Sequence, residues 1–225
     1  ETIRVGLIGA GKNTRDRHIP GFQSIEGIEV AAVANRSMQS GRQVADQFNI
    51  PQVYDNWQEL LEDESLDAVC IGTWPYMHRT LTIAALEKGK HVLCEARMAT
   101  NAAEAQDMLD ASRDTPDVVT QIVPAPHSLK VDATIIELIG NGYLGDILSV
   151  DLTVQPEGFI DYDAPLHWRD SRDLSGYNIM QMGIWYEALM RYVGPATKVM
   201  AMTRVFTNQR KDEDGIVHGI TVPDH

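Results

Sequence analysis

The apolar segment 3–8 runs directly into two closely spaced glycines, Gly9 and Gly11. A strand, a G-x-G turn and a following helix are together typical of sites that bind the pyrophosphate of a dinucleotide. Gly9 would make the tight turn off the strand, and Gly11, having no Cβ, would let the phosphates approach the backbone. The helix that follows offers free N–H groups to the same phosphates. Thr14 takes the place of the third glycine, so the fingerprint is incomplete.

Strand and helix signals alternate over the first half of the chain. Apolar strand patterns occupy residues 3–8, 29–34, 53–54, 68–71, 91–95 and 118–123. Helical patterns lie between them at residues 17–24, 37–48, 57–61, 78–88 and 101–112. Continuous apolar strands that alternate with helices predict a parallel sheet covered on both faces, which is the context that the glycine turn requires. We therefore expect an α/β fold with a Rossmann-type dinucleotide-binding domain over residues 1–124.

The pattern changes after residue 124. One helix is predicted at residues 130–140, and a second follows residue 175 and ends at about residue 193. Strands are predicted at 147–154, 199–206 and 216–222. Spacings of three and four predict the packed face of the later helix: Ile179, Met182, Tyr186, Leu189 and Val193. We expect a second, α+β domain over residues 125–225. Its last strand pattern stops at the end of the chain, where a sheet would keep an open edge, so we expect this domain to be truncated.

Composition argues against several classes of protein. The net charge of −13 disfavours nucleic acid and anionic membranes as partners, because both require basic patches. No apolar run approaches the roughly 18 residues of a membrane span. Since a strand pattern begins directly at the start of the chain, we expect no signal peptide. Cys70 and Cys94 lie in apolar runs and are predicted to be buried strand thiols, since their spacing fits neither a zinc site nor a disulfide framework. We expect a cytoplasmic protein without a metal site.

The residues after the second strand bear on the choice of cofactor. An acidic residue there would bind the adenosine ribose hydroxyls of NAD and repel a 2′-phosphate. This chain has the neutral Asn35, followed by Arg36 and Ser37, which can hold a 2′-phosphate by charge-assisted hydrogen bonds. The pattern predicts a preference for NADP, with NAD as the alternative. Arg36 could instead be a solvated charge at the end of a strand.

Further cofactor contacts are expected at the carboxyl ends of the strands, where open α/β sheets bind their ligands. They come from the glycine turn, from the loop after the fourth strand and from the end of the fifth strand. The candidates are Lys12, Asn13, Thr14, Thr73, Trp74, His78 and Glu95. For His78 the alternatives are a helix cap, a substrate contact or a solvated side chain.

Several sequence motifs occur together in this chain. They are Gly9-x-Gly11 with Arg17-His18, the Thr73-Trp74-Pro75 loop, the segments 89–95 and 144–147, and the block 168–194. Together they resemble the Gfo/Idh/MocA family of NAD(P)-dependent oxidoreductases, over essentially the whole chain. The resemblance implies a Rossmann domain, an α/β domain whose open sheet often forms an oligomer interface, and hydride transfer with sugars, inositols or related polyols. We accordingly expect a homo-oligomer that acts on a small sugar or polyol.

The resemblance also shows where this chain departs from the family. The family's Glu-Lys-Pro motif, whose lysine lies near the reacting oxygen, corresponds to Glu95-Ala96-Arg97. The family's Asp and its general acid/base His resemble the places of Gln181 and Trp185. Alanine, glutamine and tryptophan cannot exchange a proton near pH 7. Glu95 is retained and would line the nicotinamide ribose.

Two residues are candidates for the missing acid or base. His127 lies where the family has residues near the nicotinamide, although it could equally cap or pack at a domain junction. Tyr186 would take the histidine place if the register shifted by one residue. The favoured interpretation is an oxidoreductase that uses such a substitute. The alternatives are a non-catalytic dinucleotide-binding sensor or regulator, and an enzyme that uses transient oxidation within a net hydrolysis or elimination.

Overall fold

The structure is a computed structural model that describes residues 2–125, 129–155, 160–177 and 180–224. Contacts divide the chain into two compact units. The first comprises Glu1–Val123 and Asp173–Gly176, and the second comprises Pro124–Arg172 and Tyr177–His225. The domain boundary predicted after residue 124 stays a proposal.

Six strands form one parallel sheet in the first unit. They are β1 (Ile3–Ile8), β2 (Ile28–Ala34), β3 (Gln52–Tyr54), β4 (Ala68–Ile71), β5 (His91–Cys94) and β6 (Thr120–Ile122). Their order in the sheet is β3-β2-β1-β4-β5-β6, and every neighbouring pair is parallel. This is the strand order of the dinucleotide-binding α/β fold, whose crevice opens at the carboxyl ends of β1 and β4. The predicted fold class is confirmed.

Helices connect these strands, and polar side chains cap the first turn of α2, α3 and α5. The connecting helices are a π-helical segment (Thr14–His18), α1 (Ile19–Gln23), α2 (Met38–Phe48), α3 (Trp57–Leu61), a 3₁₀ turn (Pro75–Met77), α4 (His78–Glu87) and α5 (Ala102–Asp114). Ser37 caps α2 by accepting a hydrogen bond from the Ser40 N–H group (3.3 Å), and Asn101 caps α5 by accepting one from the Glu104 N–H group (3.0 Å). The Glu104 carboxylate in turn accepts from the Thr100 N–H group (3.0 Å), one residue before the cap.

The sheet buries an apolar cluster on each of its two faces. One cluster includes Leu60, Ile71, Leu81 and Met108, and the other includes Leu7, Ile19 and Val33. Cys94 belongs to the first cluster and Cys70 to the second. Both are free thiols, and burial raises the pKa of each to about 12. The prediction of two buried strand thiols is confirmed.

Lys90, at the amino end of β5, is a buried cation with backbone partners. Lys90 is only 5% exposed, and its Nζ donates to the carbonyl oxygens of Asp63 and Leu66, both at 2.8 Å. Burial lowers the pKa of Lys90. The ammonium group therefore fastens the loop between α3 and β4 to the start of β5.

We expect Lys90→Met to lower the free energy of unfolding by about 1–3 kcal/mol, because it removes the Lys90 donor from the buried Leu66 carbonyl oxygen and one of the two donors from the Asp63 carbonyl oxygen. Urea unfolding of the two proteins measures this difference. Lys88→Met is the matched control, since the exposed Lys88–Glu62 ion pair (2.7 Å) is expected to contribute about 0–1 kcal/mol. Equal losses in the two variants would contradict the role assigned to Lys90.

Beyond residue 124 the chain carries helices and a small antiparallel sheet. The elements are α6 (Asp132–Gly140), a 3₁₀ turn (Trp168–Asp170), α7 (Arg172–Ser175), α8 (Met180–Val193), β7 (Gln209–Lys211) and β8 (Val217–Gly219). The last two strands pair with each other in antiparallel register. Among the described residues of the second unit, burial is confined to Thr207, Ile220 and Val222.

Three predictions for this half of the chain are wrong. Residues 147–154 and 199–206 form no strand, because a strand requires a ladder of backbone hydrogen bonds to a neighbouring strand. Among the described residues, 199–206 has one backbone bond of this kind, from the Asp224 N–H group to the Arg204 carbonyl oxygen (3.1 Å), which does not make a ladder. Leu148 and Met200 are 94% and 97% exposed. The apolar face predicted to pack on α8 is also largely exposed, as Met182 (55%) and Val193 (43%) show. Ile179, the first residue of that face, lies outside the described residues.

Candidate dinucleotide-binding site

The turn after β1 is shaped so that its first glycine is obligatory. Gly9 has a φ of +84°, and its N–H group donates to the Ala34 carbonyl oxygen at the end of β2 (2.9 Å). A Cβ on Gly9 would lie 2.7 Å from Cγ2 and 2.9 Å from the backbone nitrogen of Thr73, which follows β4. Since L side chains rarely adopt such a φ and no space is left for a methyl group, only glycine fits here. The turn thus lies closely packed between the ends of β2 and β4.

The second glycine, by contrast, faces open space. A Cβ on Gly11 would meet a single neighbour within 4 Å, the carbonyl oxygen of Gly72 at 3.9 Å. The fold itself therefore does not require glycine at this position. An open backbone beside a turn that precedes a helical segment is the shape that a pyrophosphate group needs.

Thr14, in the place of the third glycine, is a structural part of the turn. It is 1% exposed, and its hydroxyl donates to the Gly9 carbonyl oxygen (3.2 Å). Its partner in packing is Gly72, on which a Cβ would overlap Oγ1 of Thr14 and lie 2.5 Å from the Gly9 carbonyl oxygen. The close approach that a third glycine normally permits is here permitted by Gly72. Thr14 was predicted to contact the cofactor, and its burial places it behind the turn instead.

Asn35 ties the end of β2 to the same turn. Its Oδ1 accepts a hydrogen bond from the Ala10 N–H group at 2.7 Å. Sequence reasoning considered Asn35 only for its bearing on cofactor binding and missed this contact, because Ala10 and Asn35 are 25 residues apart in the chain. The side-chain carbonyl group is thus used to hold the backbone between Gly9 and Gly11.

Arg36 and Trp74 come together from the loops after β2 and β4. The guanidinium carbon of Arg36 lies over the Trp74 ring, 4.8 Å from its centroid. Arg36 is exposed, so it is solvated, as in the alternative interpretation, yet it is also held by an aromatic side chain. Ser37 is exposed as well, and its hydroxyl oxygen caps α2. The structure brings the cation and the cap to the ligand edge of the sheet.

Two further predicted residues lie in this region. Lys12 is exposed and pairs with Asp16 one helical turn on; the hydrogen bond from Lys12 lowers the pKa of Asp16. In the described part of the chain, the hydroxyl group of Thr73 is buried without a hydrogen-bond partner. Buried polar atoms are normally paired, so an orphaned hydroxyl beside Gly9 fits a site that a polar ligand completes.

Glu95, directly after β5, is the centre of a polar network. Its Oε1 lies 2.5 Å from Nε2 of His18 and also accepts from the side-chain amide of Asn13, and its Oε2 accepts from the Ala96 N–H group (3.1 Å). Burial alone would raise the pKa of Glu95, but the contacts with His18, Asn13 and Ala96 outweigh it and lower the pKa. Sequence reasoning used His18 for the resemblance alone and missed this contact. The network joins the helical segment after the glycine turn to β5.

We expect Glu95→Gln to lower the free energy of unfolding by about 2 kcal/mol at pH 7, because a charged acceptor with three partners is lost. Since the pKa of folded Glu95 lies below its ordinary value of 4.5, its stabilising effect is complete above pH 4.5 and is lost as the pH falls through the folded pKa. Urea unfolding at pH 7 and in steps below pH 4.5 should show the two proteins converging in stability.

The control is Glu29→Gln, which removes the acid of the more exposed Arg4–Glu29 pair and is expected to cost about 0–1 kcal/mol. If Glu95→Gln unfolded like the unmutated chain at pH 7, the network would have no stabilising role.

His78, predicted to contact the cofactor, is buried inside the loop that follows β4. It is 0% exposed, its Nδ1 lies 2.8 Å from the Arg97 carbonyl oxygen, and its Nε2 lies 3.0 Å from the Thr73 carbonyl oxygen. Burial lowers the pKa of His78. A ring enclosed in this way has no surface to offer a ligand, so the prediction of a direct contact does not agree with this placement. His78 instead connects the loops after β4 and β5.

The segment after Glu95 shows what replaces the family's lysine motif. Ala96 is exposed, and the peptide bond between Ala96 and Arg97 is cis. The Arg97 guanidinium group donates to the Ser175 hydroxyl oxygen at 2.7 Å. Since Arg97 is engaged in this contact, it does not reach back to take the place of the lysine. No proton-exchanging side chain stands at position 96.

Of the two candidate acid/base residues, the structure describes Tyr186. Tyr186 on α8 is 37% exposed, and its hydroxyl oxygen accepts a hydrogen bond from the Ala196 N–H group (3.2 Å). His127 lies outside the described residues, as does the side chain of Gln181. In the part of the chain that the structure describes, no group of three or more His, Cys, Asp or Glu side chains is placed to hold a metal ion. No described helix is long and apolar enough to cross a membrane.

The described residues at this edge of the sheet are suited to binding a ligand. A turn open at Gly11, an exposed cation at Arg36 and an acceptor at Glu95 lie at the carboxyl ends of β1, β2 and β5. These are the features that recognise phosphates and ribose hydroxyls. The first unit therefore has the geometry of a dinucleotide site.

Curated proteins are similar to this chain in sequence. The dTDP-3,4-didehydro-2,6-dideoxy-alpha-D-glucose 3-reductase of Streptomyces violaceoruber is 30% identical over 185 residues, which cover 81% of this chain and 52% of the relative. D-xylose 1-dehydrogenase (NADP(+)) 2 of Haloferax volcanii is 30% identical over 203 residues, which cover 88% and 59%. The chain spans about half the length of the curated relatives it matches.

The fold is shared with solved structures. The crystal structure of an oxidoreductase domain protein from Kribbella flavida matches with a TM-score of 0.78 and 24% identity, over 99% of this chain and 62% of that one. Residues 3–122, just over half of the chain, match the model of the oxidoreductase family with an NAD-binding Rossmann fold. The sheet order and the glycine turn agree with this match. The chain belongs to the Gfo/Idh/MocA family of oxidoreductases.

Proposed function

We propose that the protein is an NADP-preferring oxidoreductase that transfers a hydride to or from a sugar-like or cyclic polyol substrate. The observation that carries the proposal is the turn that is closed at Gly9 and open at Gly11, with Arg36 at the adjacent strand end. The relatives described above are named as a sugar reductase and a sugar dehydrogenase, and one of those names includes NADP(+). Both facts favour a nicotinamide cofactor and a sugar-like substrate.

Each part of the cofactor has a proposed partner in this chain. The turn from Gly9 to Gly11, with Lys12, Asn13 and Thr73 beside it, would hold the pyrophosphate. Arg36 and Ser37 would hold the 2′-phosphate, and Glu95 would accept from the hydroxyls of the nicotinamide ribose. When bound, the nicotinamide supplies the hydride chemistry. The protein's own task is to orient the cofactor and to move the substrate's proton.

The proton requires a substitute for the family's lysine and histidine. We propose His127 as that group and Tyr186 as the second candidate, since a histidine titrates near pH 7 and a tyrosine hydroxyl can donate. The cytoplasmic location and the homo-oligomeric state of the protein stay predictions.

The cofactor preference has its own test. We expect Arg36→Ala to weaken NADPH binding about ten- to a hundred-fold, because charge-assisted hydrogen bonds to the 2′-phosphate are lost. NADH lacks this phosphate, so its dissociation constant should change little. Fluorescence titration with both cofactors measures the two constants. Equal affinities of the unmutated protein for NADPH and NADH would remove the basis of the preference.

Turnover decides between this function and its alternative. We expect absorbance changes at 340 nm when the protein is supplied with cofactor and a panel of aldoses, ketosugars and cyclic polyols. Tight cofactor binding without turnover on any of them would instead support a non-catalytic dinucleotide-binding sensor. Ala96 in the place of the catalytic lysine is the observation that favours this second candidate.

A further inference from the structure

We propose that Trp74 is a positioning residue for NADP selectivity, acting through Arg36. This inference rests on the proposed cofactor preference. Arg36 lies in the loop after β2 and Trp74 in the loop after β4, and these two strands flank β1 in the sheet. Their side chains meet with the guanidinium carbon 4.8 Å from the indole centroid. The two loops around the glycine turn are therefore linked by one cation–π contact.

The contact with Trp74 holds the Arg36 side chain in one orientation before a ligand binds. An exposed arginine loses about 2 kcal/mol of side-chain entropy when a ligand fixes it, unless it is already held. An ion pair with a carboxylate would hold it, but the carboxylate would occupy the N–H donors and repel a phosphate. An indole contacts the π face of the guanidinium group, so the N–H donors at its edge stay directed outward.

Charge leads to the same conclusion. The chain carries a net charge of −13, so an anionic ligand must be attracted by local cations. A neutral aromatic partner leaves the full positive charge of Arg36 in place, whereas an acidic partner would cancel it. Trp74 thus orders Arg36 without neutralising it, which is what a 2′-phosphate site requires.

The proposal predicts a loss of selectivity without a loss of cofactor binding. In Trp74→Ala we expect the ratio of the NADPH and NADH affinities to fall about two- to five-fold, the size of an exposed cation–π contact. Trp74→Phe should restore most of that ratio, since a phenyl ring still offers an aromatic face. Tyr76→Ala is the loop control, because Tyr76 is an exposed aromatic residue (43%) of the same loop. It should leave the ratio unchanged.

The decisive arm is the double variant Arg36→Ala/Trp74→Ala, compared with Arg36→Ala alone by titration with NADPH and NADH. If Trp74 acts through Arg36, removing the indole changes nothing further in the ratio once the guanidinium group is gone. Thermal unfolding of every variant verifies that each is folded. The inference is overturned if Trp74→Ala leaves the ratio unchanged, weakens both cofactors equally, or keeps its effect in the Arg36→Ala background.

These outcomes are separable from a failure of the proposed cofactor preference. If Arg36→Ala itself leaves the ratio unchanged, then the NADP preference fails and this inference fails with it. If Arg36→Ala lowers the ratio and Trp74→Ala does not, the preference stands and only the role of Trp74 is refuted.

Discussion

Gly72→Ala is expected to destabilise the first unit by about 3 kcal/mol, at the upper end of what overpacking normally costs. The new Cβ would lie 2.5 Å from the Gly9 carbonyl oxygen and would overlap the hydroxyl oxygen of Thr14. Neither neighbour can yield easily. Gly9 is held by its own hydrogen bond to Ala34 and by its close approach to Thr73, and Thr14 is 1% exposed. Urea unfolding of the variant measures the loss.

Gly21→Ala is the matched control. Gly21 lies in α1, and a Cβ there would meet no atom within 4 Å. Alanine is the better helix former by about 1 kcal/mol, so this variant should be as stable as the unmutated chain or slightly more stable. A Gly72→Ala protein as stable as Gly21→Ala would mean that the turn is not packed as described.

Gly11→Ala should have the opposite pattern of effects. A Cβ at this position has open space apart from the Gly72 carbonyl oxygen at 3.9 Å, and φ of Gly11 is not positive, so the free energy of unfolding should stay unchanged. The same methyl group would stand where the pyrophosphate approaches the backbone. We expect NADPH affinity to fall at least about tenfold, equivalent to roughly 1.4 kcal/mol.

Calorimetric titration of NADPH into Gly11→Ala and into the stability-matched Gly21→Ala separates binding from folding. Gly21→Ala should bind as the unmutated chain does. An undiminished affinity in Gly11→Ala would show that the phosphates do not pass over this turn.

The fold of the first unit follows from local patterns that the sequence displays. Apolar runs at β1, β2, β4 and β5 with helices between them predict parallel strands, and the structure confirms the sheet. The strands predicted at 147–154 and 199–206 fail because a strand is defined by its neighbour. β-Branched residues such as Val150 and Val199 favour strands, but that propensity does not specify a partner strand.

The sequence predicted which residues lie at the candidate site better than it predicted what each of them contacts. The glycines and Arg36 are placed at the ligand edge because strand ends fix them there. The contacts of Asn35 with Ala10 and of Glu95 with His18 join residues far apart in the chain, so periodicity carries no sign of them. The burial of His78 was missed for the same reason: only the folded loops place two carbonyl groups at its ring.

A crystal structure of the protein with NADPH tests the dinucleotide site most directly. It should show the pyrophosphate against the backbone of Gly11 and the 2′-phosphate about 3 Å from the Arg36 guanidinium nitrogens. It would also show which polar side chain stands beside the nicotinamide. A pyrophosphate bound away from Gly11, or crystals that take up no NADPH at saturating concentration, would contradict the assignment of this turn as a dinucleotide site.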